Sequence, residues 1–402
     1  MSGERRPLWS LAVCVLLIAT GCSSSGTKHR AITAEVACSK TIGQAVDLPD
    51  VRTASVTVSG SPFDVVTTAD GAWSFVSLAT SIGVFSRDSL VPRLVGQVPM
   101  AGQPLGEILT TDGRYLVVAD QSGVDVIDVA AAKRGDPDPV AGVLRPPGGA
   151  TSGGAIEVAL SRDDRYAFVT RENDDDLAVF DLTRARLDGY RSSAFVGSVS
   201  LGTSPVGIAL SRDGHWLYAT SQAGAPPGAS PAGPSLGPEQ GTLSVVKVAT
   251  AVSDPANAVL TSVAAGCNPV RVISSTDGKT LWVTARASNA LLGFSSTELR
   301  TDPRHALVAR VPVGQAPVGV ALVRHDTRLI VANPNRFSDP GSSGNLSVID
   351  AGAALGGRPS VLGVVPSGTF PREFALGPDG RVLLVTNYAS NELEAIDVAT
   401  LP

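Results

Sequence analysis

The chain has 402 residues, 43% of them hydrophobic and 17% charged, with a net charge of −5. That is too apolar for a disordered chain, and the scattered arginines form no basic cluster of the kind nucleic-acid binding needs, so no nucleic-acid partner is expected. Its 42 glycines and 28 prolines against 5% aromatic residues point to many short strands joined by turns rather than to helices.

The N-terminus carries Arg5 and Arg6, an apolar run over residues 8–19, and then Thr20-Gly21-Cys22-Ser23-Ser24-Ser25-Gly26. A basic flank, a short apolar core and small residues make a secretory signal, too short for a membrane span. It resembles a bacterial lipoprotein signal. That resemblance implies cleavage before Cys22, lipidation of Cys22 and anchoring to the bacterial cell membrane by acyl chains, at the cell surface or in the periplasm. The division that follows is a signal over residues 1–21, a lipidated cysteine and flexible tether over 22–52, and a folded domain over 53–402. Cys38 and Cys267 also remain in the mature chain. In an oxidising compartment they are candidates for a disulfide, with two buried thiols as the alternative.

The folded part is seven copies of one unit. Aligning on a turn gives Asp70, Asp112, Asp163, Asp213, Asp277, His325 and Asp379, and eight residues before each lies Pro62, Pro104, Ala155, Pro205, Pro269, Pro317 and Pro371. Five residues after each turn residue come two adjacent apolar positions, such as Phe75-Val76, Ile330-Val331 and Leu384-Val385, so both faces of that second strand are covered. A third strand alternates, as in Val124-Asp125-Val126-Ile127-Asp128-Val129, and a fourth is read over residues 309–313 and 361–365. Four antiparallel strands per unit of about 50 residues, repeated radially, predict an all-β, seven-bladed β-propeller. The last copy stops after its third strand, while residues 53–58 form a spare strand before the first copy. The expectation is that this strand completes the seventh blade and so removes a free edge.

The unit is clearest over residues 371–398, where Val385-Thr386-Asn387 is followed by Ala395-Ile396-Asp397-Val398. These residues resemble YVTN-type β-propeller repeats, a bacterial and archaeal class common in surface and periplasmic proteins, and the resemblance spans residues 53–402. It implies the fold. Relatives of that class include lactonase-like enzymes, haem or quinone oxidoreductase subunits and proteins that only bind partners, so the fold does not choose a function.

Propeller geometry places the loops between second and third strands on one face with the loops leading into each proline. The largest insertions, residues 221–241 and 333–345, fall there and make that face the candidate surface for a protein or glycan partner. Arg171, Arg286, Asn333, Arg336, Asn387 and Tyr388, at the ends of second strands or just beyond, are the candidate ligand contacts. The acidic run over residues 171–176 offers oxygens to calcium but lacks the spacing of an EF-hand loop; it reads as a solvated turn, and no metal is assigned.

Two residues after each proline position stand Asp64, Gly106, Glu157, Gly207, Arg271, Gly319 and Glu373. Charges interrupting a glycine column at the channel make Asp64, Glu157, Arg271 and Glu373 the candidate catalytic residues, against the reading of an exposed, water-filled channel with paired ions. Glu107, one place later in an otherwise apolar column, stands out without a role. His29, His215, His305 and His325 all fall away from this column, and no haem-attachment, nucleophile-elbow or phosphate-loop motif is present, so no cofactor is expected. The leading function is a lipid-anchored, monomeric, non-catalytic propeller that binds a protein, glycan or cell-wall ligand. The runner-up is a lactonase-like hydrolase in which Arg271 polarises a carbonyl and Glu157 or Glu373 positions water.

Overall fold

The computed structural model describes residues 41–43, 45–147, 154–191, 194–224, 240–336 and 342–402. The signal, Cys22, Cys38 and the centres of the two long insertions, residues 225–239 and 337–341, lie outside the described residues. Seven four-stranded antiparallel sheets form a seven-bladed β-propeller. Each inner strand contacts the inner strands on both sides, and the ring closes between Val65–Thr67 of blade one and Pro371–Leu376 of blade seven.

The doubled apolar positions explain the packing. In a strand, neighbouring side chains face opposite ways, so Phe75 packs toward blade two with Leu116 and Val118, while Val76 packs toward blade seven with Leu384 and Ala395. Ile330 and Leu329 divide in the same manner between blades seven and five. The core is therefore a set of layers between blades, each fully buried Val, Leu or Phe contributing about 1.5–3 kcal/mol.

The spare N-terminal strand does close the ring. Thr53–Thr57 pairs antiparallel with Glu392–Asp397, from Thr53 opposite Ile396 to Thr57 opposite Glu392, as the outer strand of blade seven. The flexible tether expected through residue 52 ends sooner. The Gly43 N–H donates to the Val313 carbonyl at 2.7 Å, Asp47 bridges Val364 in parallel, and Leu48 and Val51 pack on the layer between blades six and seven. Apolar residues at 48 and 51, beside an otherwise unpaired outer strand, supply the reason.

The turn between inner and second strands is built from side chains. In five blades a Ser or Thr hydroxyl donates to the turn aspartate two residues on, as Thr110 does to Asp112 at 2.7 Å, and that carboxylate accepts a backbone N–H two residues further. Among the described residues five short α-helices, absent from the sequence reading, cap outer connections. Asp128, Asp181 and Asp350, the last residues of their third strands, cap three of them by accepting from the N–H of Ala131, Arg184 and Ala353.

One joint recurs between blades. In blades three, four, five and seven the inner strand bulges just after the proline position, which leaves the N–H two residues after that position outside the ladder. The threonine of the second strand, Thr170, Thr220, Thr284 or Thr386, accepts that N–H. Its own hydroxyl then donates to a carbonyl of the next blade's inner strand, that of Val206, Val270, Val318 or Phe63. Blades one and six pair without a bulge there and have Ser77 and Ala332 instead.

Candidate functional site at the channel mouth

The inner strands approach closely because part of their column is glycine. A Cβ at Gly207 would run into the carbonyl oxygen of Val270, and one at Gly319 into that of Arg372. The charged members of the column then meet inside the ring. Arg271 Nη2 lies 2.6 Å from Glu157 Oε1, and its Nε lies 2.6 Å from Glu373 Oε1. Asp64 accepts from the N–H of Val65 at 2.8 Å and, across the blade boundary, from that of Glu107 at 2.9 Å. The structure thus brings Asp64, Glu157, Arg271 and Glu373 together, and Glu107 joins them.

The exposed channel weighed in the sequence is not what forms. Asp64, Glu107, Arg271 and Glu373 are only 5–9% exposed, and burial disfavours their charged forms. Burial pushes the Asp64 carboxyl up to about 7, with Glu373 adding to the rise and the Glu107 and Val65 amides opposing it. Burial also raises Glu107 well above the usual range, reinforced by Asp64. Both Glu107 oxygens lack a partner at hydrogen-bonding geometry, although Ser77 stands close enough to offset part of that rise. Glu157 and Glu373 are raised by burial despite the opposing charge of Arg271. For Arg271 burial works against the charge, but Glu157, Glu373 and Asp64 outweigh it and hold the guanidinium ionised.

Toward the loop-bearing face the channel opens into a cavity of about 360 Å³. Its floor is the residue one place after the proline position in six blades: Phe63, Leu105, Ile156, Val206, Val270 and Val318; blade seven has Arg372 there. The walls are Gln121, Glu172, Gln222, Arg286, Arg336 and Phe370, and Arg271 reaches the cavity from below. Asp64, Glu107, Glu157 and Glu373 are not among the residues lining it. Gln222 orders one side, donating to Glu172 at 2.7 Å and accepting from Arg286. The Arg372 guanidinium stacks 3.6 Å from the centre of the Phe63 ring, and that of Arg336 lies 5.9 Å from Phe370. Burial and then Arg271 lower the Arg372 pKa to about 10; burial and then Arg336 lower that of Arg286.

Of the residues expected to contact ligand, Arg286 and Arg336 line this cavity, and Tyr388 stands behind it against Phe370, ring centres 5.7 Å apart. Arg171, Asn333 and Asn387 do not reach it. Arg171 is buried against Asp176, Nε to Oδ1 2.7 Å, and also pairs with Asp174. Asn333 donates to Asn345 and Ser347, both at 2.9 Å, and Asn387 donates to Glu394 at 2.9 Å. These three polar ends of second strands lock their own hairpins. The acidic run after Arg171 is exposed over residues 173–175, a solvated turn as expected, and its carboxylates are also tied in, Asp174 to Arg171 and Asp175 by accepting from the Ser204 N–H at 2.8 Å. Among the described residues no group of three or more His, Cys, Asp or Glu has a geometry fit for a metal. Cys267 is disulfide-bonded. The three other cysteines, Cys38 among them, lie outside the described residues, and so therefore does its partner.

Gln121, Phe370 and Arg372 are cavity residues that the sequence reading missed, and it touched Glu172 and Gln222 only as members of an acidic run and of a long insertion. Arg372 carried a signal, since it is the one charge in a column otherwise of Phe, Leu, Ile and Val. Gln121, Glu172 and Gln222 stand nine residues after Asp112, Asp163 and Asp213, the same register as Arg286 after Asp277, so the repeat carried a signal for them too, whereas Phe370 sits in the bend before Pro371.

No family model and no curated protein matches the sequence. Many solved structures share its architecture, two of them as follows. One is described as Kuenenia stuttgartiensis hydrazine synthase, with a TM-score of 0.65 and 18% identity over 89% of this chain and 99% of that one. The other is a chain of a mitotic checkpoint complex, with a TM-score of 0.64 and 13% identity over 89% of this chain and 98% of that one. At such identities the likeness shows the β-propeller fold and nothing finer.

Proposed function

We propose that this chain is a lipid-anchored, extracytoplasmic interaction module that binds a ligand of the cell envelope through the loop-bearing mouth of its channel. The observation that carries the reading is the cavity of about 360 Å³, with an apolar floor and convergent polar and aromatic walls, the usual make-up of a binding site. The signal-like N-terminus and Cys22 support the anchor, and the disulfide at Cys267 fits an oxidising compartment. Glu157 and Glu373 sit against Arg271 and do not line the cavity, which favours binding over lactonase-like hydrolysis.

The test uses a Cys22→Ser protein, expected to leave the membrane fraction. Its retention on isolated envelopes is compared with that of variants carrying Gln222→Trp at the mouth or Arg381→Trp on the opposite, turn-bearing face. Retention lost with Gln222→Trp alone supports the reading. Retention unaffected by Gln222→Trp, or lost equally with both, contradicts it, and Cys22→Ser remaining membrane-bound contradicts the anchor.

A further inference from the structure

We infer that the mouth cavity is an oxyanion site, built to take a carboxylate or phosphate group carried on a body about the size of one sugar ring. The inference rests on the mouth being the binding surface and names the chemistry of what enters it.

Four arginines and one carboxylate line the cavity. Arg271 is engaged below by Glu157 and Glu373, and Glu172 is held at the rim by Gln222. That leaves Arg286, Arg336 and Arg372 facing shared space. The Arg372 guanidinium lies over the rings of Phe63 and Tyr388, and its Nε is buried with no hydrogen-bond partner. Arg336 lies 5.9 Å from the centre of the Phe370 ring and forms no ion pair among the described residues. Arg286 is bonded to Gln222, a neutral group.

A buried charge without a counter-ion is costly, and three guanidinia around one cavity also repel one another. Burial first, and then a neighbouring guanidinium, lower the pKa values of Arg286 and Arg372, Arg336 acting on the first and Arg271 on the second, with Glu172 and Glu373 offsetting part of each fall. Stacking occupies the face of a guanidinium and leaves its in-plane N–H fork free, which is the arrangement that grips a carboxylate or phosphate with two parallel bonds. The apolar floor from Leu105 to Val318 and the Phe370 ring supply surface for the ligand's body, within a volume at the small end of ligand pockets.

Calorimetric titration of the full folded protein with D-glucuronate, D-glucose 6-phosphate and D-glucose tests this, because the three share a ring and differ in charge. The expected result is saturable binding of one or both anions with Kd below about 1 mM and none of glucose. Arg336→Gln should weaken the anion by about tenfold or more, and added salt should weaken it further. Saturation by glucuronate alone assigns a carboxylate, and by the sugar phosphate alone a phosphate. Arg372→Gln removes a charge beside Glu373 and can cost stability, so the exposed Arg336 carries the decision. The inference is overturned if neither anion saturates by about 10 mM, if glucose binds as well as they do, or if Arg336→Gln binds like the wild type. Should neither anion bind while Gln222→Trp still abolishes envelope retention, the oxyanion assignment falls and the mouth as binding surface stands.

Discussion

Replacing Thr386 by Val preserves the shape of a fully buried side chain and removes only its hydroxyl. That hydroxyl accepts the Glu373 N–H at 3.0 Å and donates to the Phe63 carbonyl at 3.2 Å, joining blade seven to blade one where the ring closes. Valine leaves both backbone groups buried and unpaired. At about 1–3 kcal/mol for each, the loss is expected to be about 2–6 kcal/mol. Thr386→Ser keeps the hydroxyl and deletes one methyl, at a cost of about 1 kcal/mol. Urea denaturation followed by tryptophan fluorescence measures both, since the chain has four tryptophans. A Val variant that unfolds within about 0.5 kcal/mol of the wild type, or a Ser variant that proves the worse of the two, would show that this hydroxyl does not hold the joint.

Three further outcomes follow from the same structure. Deleting Thr53–Thr57 exposes the outer edge of blade seven along Glu392–Asp397; the protein should aggregate or unfold at markedly lower denaturant, and a truncated form unfolding like the full one would sink the closure argument. The raised carboxyls set a pH dependence. A folded-state pKa above the unfolded value contributes stability at low pH that is lost as pH rises through the folded value, which is about 7 for Asp64. Stability should thus decline as pH rises from the ordinary carboxylate range near about 4 through about 7, and Glu107→Gln, permanently uncharged at a site that already favours the protonated acid, should flatten that decline; denaturation midpoints that run parallel from about pH 4 to 8 would contradict this. Reducing the disulfide at Cys267 should lower stability by about 2–4 kcal/mol, and an unchanged midpoint in reductant would show that it ties down nothing that matters to the fold.

The fold was legible because its signals are local. The offset of eight residues between proline position and turn holds since a hydroxyl, an aspartate and two backbone amides build the turn within a few residues, as around Ser161 and Asp163. The paired apolar positions announced strands covered on both faces, and the spare strand followed from the missing one. The site was less legible because it depends on register. Asn333 and Asn387 end their strands as ligand contacts would, yet their partners Ser347 and Glu394 are found only once the hairpin is paired. Whether the residue one or two places after proline faces the cavity is decided by the bulge, which is why Glu373 drew notice and Arg372 did not. Glu107, unexplained in the sequence, lies one residue beyond the corresponding bulge of blade two, where its N–H meets Asp64 and its side chain enters the buried cluster. The helices escaped notice because the longest have six residues, too few to show a period.

The claim on which the account turns is that the loop-bearing mouth is the working surface. Photo-activated cross-linking in intact cells tests it most directly, with the reactive group placed in turn at Gln121 and Gln222 on the mouth and at Thr276 and Arg381 on the opposite face. The account predicts discrete adducts from the two mouth positions and none from the other two. Adducts from Thr276 and Arg381 with none from Gln121 and Gln222 would contradict it.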